Sequence, residues 1–331
     1  MKVLVIGGAG FIGSHTVDAL LARGLSVRVL DNFSSGKMEN LPACSSLEVQ
    51  RGDIRNAEDV QRAMRDVTHV LHLAAQVSVQ ASVEDPVNSC ASNIMGFVNV
   101  LDAARRAGVG RFVYASSAAV YGVPRVLPLS ETAPVCPLSP YGLEKYINDQ
   151  YAAMYRELYG MNCLGMRYFN VYGPRQDPRS PYAGVISKFI DCVSQGVALR
   201  VHGDGLQTRD FVYVEDVAQA NLRALESDLD GVCNIGTGQT VTLLKLIEAI
   251  GVIAGCELTV MHEPPREGDI RDSATAVGRM EQELGAFATT GLLEGLAELM
   301  GVSVDVIRFR NQGSMAGVIR EAGIGMASLH L

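Results

Sequence analysis

With 331 residues, 48% of them hydrophobic and only 6% aromatic, the chain can bury a sizeable core as one large domain or two unequal ones. Its net charge of −8 excludes a surface built to attract nucleic acid or an acidic membrane, so any anionic ligand must be held by a local site. The seven cysteines are scattered and form no CxxC, no apolar run is long enough to span a bilayer, and "MKVLVIGGAG" breaks too early for a secretion signal. A soluble, cytoplasmic protein with reduced thiols is expected. In chain order, strands are predicted over 2–6, 26–30, 47–50, 69–73, 111–115 and 162–168, and helices over 11–23, 57–65, 93–107 and 140–159. This alternation predicts an α/β fold with a doubly wound parallel sheet. Beyond residue 170 the pattern loosens: "GPRQDPRSPYAG" reads as loop, 183–195 as helix, and "RDFVYVEDVAQANLRAL" as a strand running into a helix. There is no Pro/Ser linker, internal repeat or low-complexity tract, so the two parts should be intertwined.

"VLVIGGAGFIGS" follows the first strand and opens the first helix. Gly7, Gly8, Gly10 and Gly13 satisfy both the GxGxxG and GxxGxxG spacings. Either allows a tight turn, a close approach of the backbone to a pyrophosphate, and anion binding at the helix N-terminus. A second strand ends at Asp31, 18 residues after Gly13. A carboxylate there hydrogen-bonds the adenosine ribose and repels a 2′-phosphate, which predicts NAD rather than NADP. Residues 1–170 are therefore expected to form a Rossmann dinucleotide domain. Residues 171–300 should form a smaller substrate lobe with some segments returning to the sheet, and 301–331 a tail without an assigned role.

In "SPYGLEK", Ser139 can cap a helix, Pro140 suits its first position and Gly160 can end it. Tyr141 and Lys145 then share one helical face. An ammonium nearby, with a positively charged nicotinamide, favours the phenolate and brings a phenol of pKa near 10 toward the working range. Tyr151, Tyr155 and Tyr159 continue at intervals of four, so packing accounts for a tyrosine there as well, and the pair alone does not decide. Upstream, "YASSAAVYG" places Ser116 and Ser117 just after a strand, at the end where open parallel sheets bind ligands. Either serine could bond a substrate oxygen, or merely cap a loop. The six histidines show no metal-ligand spacing.

Taken together with "LDNFSSG", "GDIR", "HLAAQ", "NIMG", "RYFNVYGPRQDP", "TRDFVYVEDV", "NIGTG" and "PPREGDIRDS", these motifs make the chain resemble the extended short-chain dehydrogenase/reductase superfamily. Within it, the chain is similar to NAD-dependent UDP-glucose 4-epimerase-type enzymes over about residues 1–300. The resemblance implies that Gly7, Gly10, Phe11, Ile12 and Gly13 line the pyrophosphate and that Asp31 and Asn32 meet the adenosine ribose. Asp53 and Ile54 would border adenine, while Ala74, Ala75, Gln76 and Asn93 would lie along the cofactor. Lys145 would bind the nicotinamide ribose as well as tune Tyr141, with Ser117 as the catalytic serine. On the substrate side it implies Asn170, Arg209, Arg266 and Asp269 at the uridine diphosphate; guanidinium groups suit a diphosphate in an acidic protein. The implied reaction is inversion at C4 of a UDP-hexose through a transient 4-keto sugar, with NAD regenerated in each cycle. Ser273 falls where family members restricted to plain hexoses carry a tyrosine, which would leave room for an N-acetyl group.

Several alternatives stand beside this expectation. Ser117-Ala118-Ala119 replaces the Thr-Asp-Glu of related 4,6-dehydratases, removing the acid and base that expel water. A reductase, a decarboxylase or a uronate epimerase uses the same scaffold, and Arg175, Arg179 or Arg271 could face a uronate carboxylate. A silent dinucleotide-binding regulator would ordinarily have lost one of the three catalytic residues. The resemblance also implies a homodimer in which helices near 93–107 and 140–159 pair with their copies.

Overall fold

The computed structural model describes residues 1–178, 184–265 and 270–303, together with the backbone of 319–321. The first half contains β1 (Lys2–Ile6), α1 (Phe11–Ala22), β2 (Ser26–Asp31), β3 (Leu47–Arg51), α2 (Ala57–Ala63), β4 (His69–His72), α3 (Val79–Glu84), α4 (Pro86–Cys90), α5 (Gly96–Arg106), β5 (Arg111–Ser117), α6 (Pro140–Tyr159) and β6 (Cys163–Tyr168). The second half contains β7 (Asn170–Tyr172), α7 (Val185–Ser194), β8 (Leu199–His202), β9 (Thr208–Arg209), β10 (Phe211–Tyr213), α8 (Val214–Glu226), β11 (Gly231–Ile235), β12 (Val241–Thr242), α9 (Leu243–Ala254), β13 (Leu258–Glu263), α10 (Gly278–Gln282), α11 (Leu292–Leu299) and β14 (Ile319–Glu321).

Seven strands form one parallel sheet in the order β11-β6-β5-β4-β1-β2-β3. The six strands expected from the sequence lie within two residues of their predicted positions. Alternating side chains of these strands face opposite layers. Val3, Val5, Val27, Val29, Val113 and Leu164 pack with Val17 and Leu20 of α1 and Val217 and Ala220 of α8. Leu4, Ile6, Leu30, Val70 and Phe112 pack with Val60 of α2, Phe97 and Leu101 of α5, and Ala152 of α6. Both faces are thus covered, which is why the central strands read as continuous apolar runs. A third cluster joins Ile186, Phe189, Val201, Leu246, Ile250, Val260 and Leu296, which lie on α7, β8, α9, β13 and α11.

The helix expected over 93–107 differs from the one observed. Helical structure begins at Pro86, where Asp85 caps α4 by accepting from the Asn88 N–H at 3.1 Å, and passes through a π segment, Ala91–Met95, into α5. Apolar spacing does not reveal the π segment, because its extra residue alters the backbone bonding without changing which side chains are apolar. Helix α6 keeps its predicted limits: Ser139 Oγ accepts from the Gly142 N–H at 3.1 Å, and Gly160 ends the helix at φ +65°. Among the described residues, no helix is long and apolar enough to cross a membrane.

Candidate active site

The sheet order leaves a crevice between the carboxyl ends of β1 and β4, where ligands enter open α/β sheets. Gly7 and Ala74 face each other across it. The N–H groups of Leu73 and Ala74 both donate to the Ile6 carbonyl, at 2.8 and 3.0 Å, which draws the chain after β4 against the glycine turn. Gly7 has φ +81°, and a Cβ there would lie 2.7 Å from the Ala74 nitrogen. At Gly13 a Cβ would lie 2.1 Å from the Gly7 carbonyl oxygen, so only glycine lets α1 begin this close to β1. The helix starts at Gly10 with no side-chain cap, leaving the amides of Phe11, Ile12 and Gly13 at its N-terminus for an anion.

Asp31, nearly buried, ends β2 with its carboxylate oriented by backbone. Oδ2 accepts from the Ala9 N–H at 2.9 Å and Oδ1 from the Phe33 N–H at 2.8 Å. A carboxylate has about four acceptor positions, so it retains capacity for a ribose diol. Asn32 donates to Asp53 at 3.1 Å, and Asp53 also accepts from Arg55 Nε and Nη2 at 2.9 and 2.7 Å. Hydrogen bonds from Arg55 hold the Asp53 carboxyl well below the ordinary carboxylate range. Ile54 is buried beside Gly96, leaving no room for a side chain at that glycine. Gln76 and Asn93 hold each other: the Gln76 N–H donates to Asn93 Oδ1 and Asn93 Nδ2 donates to the Gln76 carbonyl, both at 2.8 Å. Asn93 therefore acts on the 74–76 segment as a clasp.

Ser117 ends β5 and accepts from the Ala119 N–H at 3.2 Å. Tyr141 and Lys145 lie on the first turns of α6, with Lys145 Nζ 5.8 Å from the centre of the Tyr141 ring and donating to the Ala115 carbonyl at 2.9 Å. Burial pushes the Tyr141 phenol up, a hydrogen bond with Ser117 opposes this, and the charge of Glu144 adds to the rise. The direction expected from the Tyr-Lys spacing counts the Lys145 ammonium together with a positively charged nicotinamide; in the chain alone, burial outweighs the ammonium. The reason is that the ammonium is itself buried and bonded to a carbonyl, while desolvation acts directly on the phenol. His72, buried at the end of β4 against Phe97, has no hydrogen-bond partner for Nδ1 among the described residues, and burial lowers its pKa to about 3.

Burial lowers the Lys145 pKa to about 8, opposed by the charges of Asp149 and Glu144. Its folded value lies below its unfolded value, so the unfolded chain holds more protons between about pH 8 and 10.5. The group destabilises the fold below that window, and the penalty fades as pH rises through it. Without added nucleotide, Lys145→Met should raise the urea midpoint at pH 7 and lose most of that advantage by about pH 10. An advantage of equal size at both pH values would contradict the shift.

Of the residues expected at the diphosphate, Asn170 donates to the Asp210 carbonyl at 3.1 Å. Arg209 Nη1 donates to the carbonyls of Thr208 and Arg271 at 2.8 and 3.0 Å. The Ser273 N–H donates to the Thr208 carbonyl at 3.2 Å, bringing Arg209 and Ser273 onto one laced pair of segments. Arg266, Asp269 and Arg179 lie outside the described residues. Arg175 pairs with Asp18 at 2.8 Å and Arg271 with Asp204 at 2.9 Å, so each of these arginines already has a carboxylate. Asp210, fully buried, escaped the sequence reading. It accepts from the N–H groups of Thr237 and Gly238 at 2.8 and 2.9 Å and ties the "NIGTG" turn to the strand carrying Arg209.

A glycine turn at a sheet crevice, a backbone-oriented carboxylate at the end of β2 and a Ser-Tyr-Lys group on β5 and α6 are features of a dinucleotide-dependent enzyme. The chain belongs to the NAD-dependent epimerase/dehydratase family, whose model matches residues 3–236. It is 40% identical over 318 residues to the UDP-glucose 4-epimerase of Mycolicibacterium smegmatis, covering 94% of this chain and 100% of that one. Among solved structures, it superposes on the Thermus thermophilus UDP-glucose 4-epimerase complex with NAD with a TM-score of 0.85 and 42% identity, over 93% of this chain and 99% of that one. It also superposes on the UDP-N-acetylglucosamine 4-epimerase from Methanobrevibacter ruminantium M1, in complex with UDP-N-acetylmuramic acid, with a TM-score of 0.86 and 37% identity, over 91% and 97% of the two chains. The side-chain-free cradle at Gly7 and Gly13, the uncapped α1 amides and the position of Asp31 fit NAD.

Proposed function

We propose that this protein is a UDP-sugar 4-epimerase, interconverting UDP-glucose and UDP-galactose and, by the same route, their N-acetylated counterparts. The observation that carries this reading is the meeting of Ser117, Tyr141 and Lys145 where β5 and α6 converge beside the glycine crevice. NAD, when bound, supplies a reversible hydride acceptor for C4 of the sugar. Tyr141 takes the proton of the 4-hydroxyl and returns it after the sugar has turned over. Ser117 orients that hydroxyl and holds the Tyr141 oxygen by a hydrogen bond. Lys145 supplies the positive charge and a donor for the nicotinamide ribose. Asn170, Arg209, Arg266 and Asp269 hold the uridine diphosphate so that only the hexose is free to rotate. A grip on the diphosphate with a loose sugar pocket is what inversion through a ketone requires.

Ser273 sets the width of the sugar pocket in this reading. The relative that bears an N-acetylglucosamine name supports a wide pocket. The protein should therefore turn over UDP-GlcNAc and UDP-GalNAc as well as the plain pair. Ser273→Tyr should reduce kcat/KM for the acetylated pair by about tenfold or more, because filling the space beside C2 overpacks it, and leave the plain pair within about threefold. Inactivity of the wild-type protein on the acetylated pair in side-by-side turnover would refute the wide pocket.

The assembly we propose is a homodimer in the cytoplasm. Val83 and Val87 on α3 and α4, Met95 in the π segment, and Leu143, Met154 and Leu158 on α6 are exposed on neighbouring helices, which supports pairing with a second copy through this face. Tyr151 and Tyr155 pack on the interior of the same chain, and Tyr159 rests its ring on Arg105 at 4.6 Å. The tyrosine row of α6 is thus largely internal support.

A further inference from the structure

Glu144 stands between Tyr141 and Lys145 in the chain and is only 4% exposed. A buried carboxylate is costly without partners, and this one has two: Oε2 accepts from Ser89 Oγ at 2.8 Å and from Asn93 Nδ2 at 2.6 Å. Asn93 in turn brackets Gln76, accepting its N–H and donating to its carbonyl. That bracket works in only one orientation of the Asn93 amide, with oxygen toward the Gln76 N–H. An amide by itself can flip; a carboxylate on its other side accepts only, so it tolerates only the NH2 end. Glu144 therefore selects the orientation that Gln76 needs. The π segment makes this possible by presenting Asn93 between the 74–76 segment and α6. A second link runs in parallel, the Tyr141 N–H donating to Ser82 Oγ at 3.1 Å.

We propose that Glu144 is a positioning residue: it locks the Asn93 amide so that the segment Ala74-Ala75-Gln76 stays against the glycine crevice, and thereby ties the helix of Tyr141 and Lys145 to the dinucleotide site. The inference rests on the NAD reading above and deepens it. A role of this kind acts through Asn93, which a merely structural role would not.

NADH fluorescence titration of the purified full-length chain reads the effect directly, and the chain contains no tryptophan to interfere. Glu144→Gln keeps an acceptor oxygen but loses the charge assistance and should raise the NADH Kd about threefold; Glu144→Leu removes the acceptor and should raise it about tenfold or more. In an Asn93→Ala background each change should alter the Kd by less than about 1.5-fold, because the partner is gone. Equal penalties in both backgrounds, or wild-type affinity in both single variants, would overturn the proposal. If Glu144→Leu does not fold, the Glu144→Gln pair decides alone. A wild-type chain that binds no NADH would overturn the NAD reading and this inference together, whereas wild-type binding with unaffected Glu144 variants would overturn this inference only.

Discussion

Replacing Tyr141 with phenylalanine is expected to lower kcat for epimer formation by about a thousandfold while changing NADH affinity by less than about threefold. In the mechanism proposed above, the Tyr141 hydroxyl, which bonds Ser117 and lies near Lys145, passes the proton in both directions at the sugar. The chain on its own raises the phenol pKa, through burial and the charge of Glu144, so the protein without its substrates stores the proton on Tyr141. In that mechanism Ser117 and, with NAD bound, the charge of the nicotinamide would favour the phenolate, whereas phenylalanine has nothing to ionise. Ring packing survives the change because only the oxygen is lost. The loss should therefore fall on kcat with KM little altered, as for a group that acts in the transition state. Full turnover by Tyr141→Phe would remove this residue from the chemistry.

Replacing Arg167 with methionine should destabilise the fold by about 3–5 kcal/mol, measured as a fall in the urea midpoint. Arg167 and Asp149 form a buried ion pair, with Nε and Nη2 donating to Oδ2 at 3.1 and 3.0 Å. Tyr114 donates to the other carboxylate oxygen at 3.0 Å. Arg167 Nη1 donates to the Tyr121 hydroxyl at 2.9 Å, and that hydroxyl donates to Asn234 at 2.6 Å. Burial already raises the Asp149 pKa, and the guanidinium is the main influence opposing it. Without Arg167 the carboxylate is left in the core between β5, β6 and α6 with only neutral donors. Asp149 lies one turn beyond Lys145, and its charge helps keep that lysine protonated. The same substitution should therefore also lower the activity of the folded fraction. A loss of stability under about 1 kcal/mol would show that the pair contributes little against its desolvation.

The features legible in the sequence were those fixed by local spacing. Gly7, Gly10 and Gly13 with Asp31, and Tyr141 with Lys145, are set by a turn and by one helical face, and both are written in consecutive residues. The sheet strands were legible because burial on both faces demands apolar runs. Glu144, Asp149 and Asp210 were not legible, because each takes its meaning from partners tens of residues away: Glu144 from Asn93, Asp149 from Tyr114 and Asp210 from Thr237. In sequence Glu144 is one more charge on a helix. The second half looked irregular because β9 and β12 are two residues long and β11, though apolar, finds its place only by returning to the edge of the first half's sheet. The burial of the Tyr141 phenol was not legible for a related reason: spacing locates the ammonium but says nothing about how deeply the ring is buried.

The most direct measurement is to incubate the protein with NAD and UDP-glucose carrying deuterium at C4, with no added reductant, and to separate the epimers for mass analysis. The expected product is UDP-galactose that retains the deuterium at C4, with no net accumulation of NADH. Loss of the label to solvent, or NADH formed in step with consumed sugar, would contradict it.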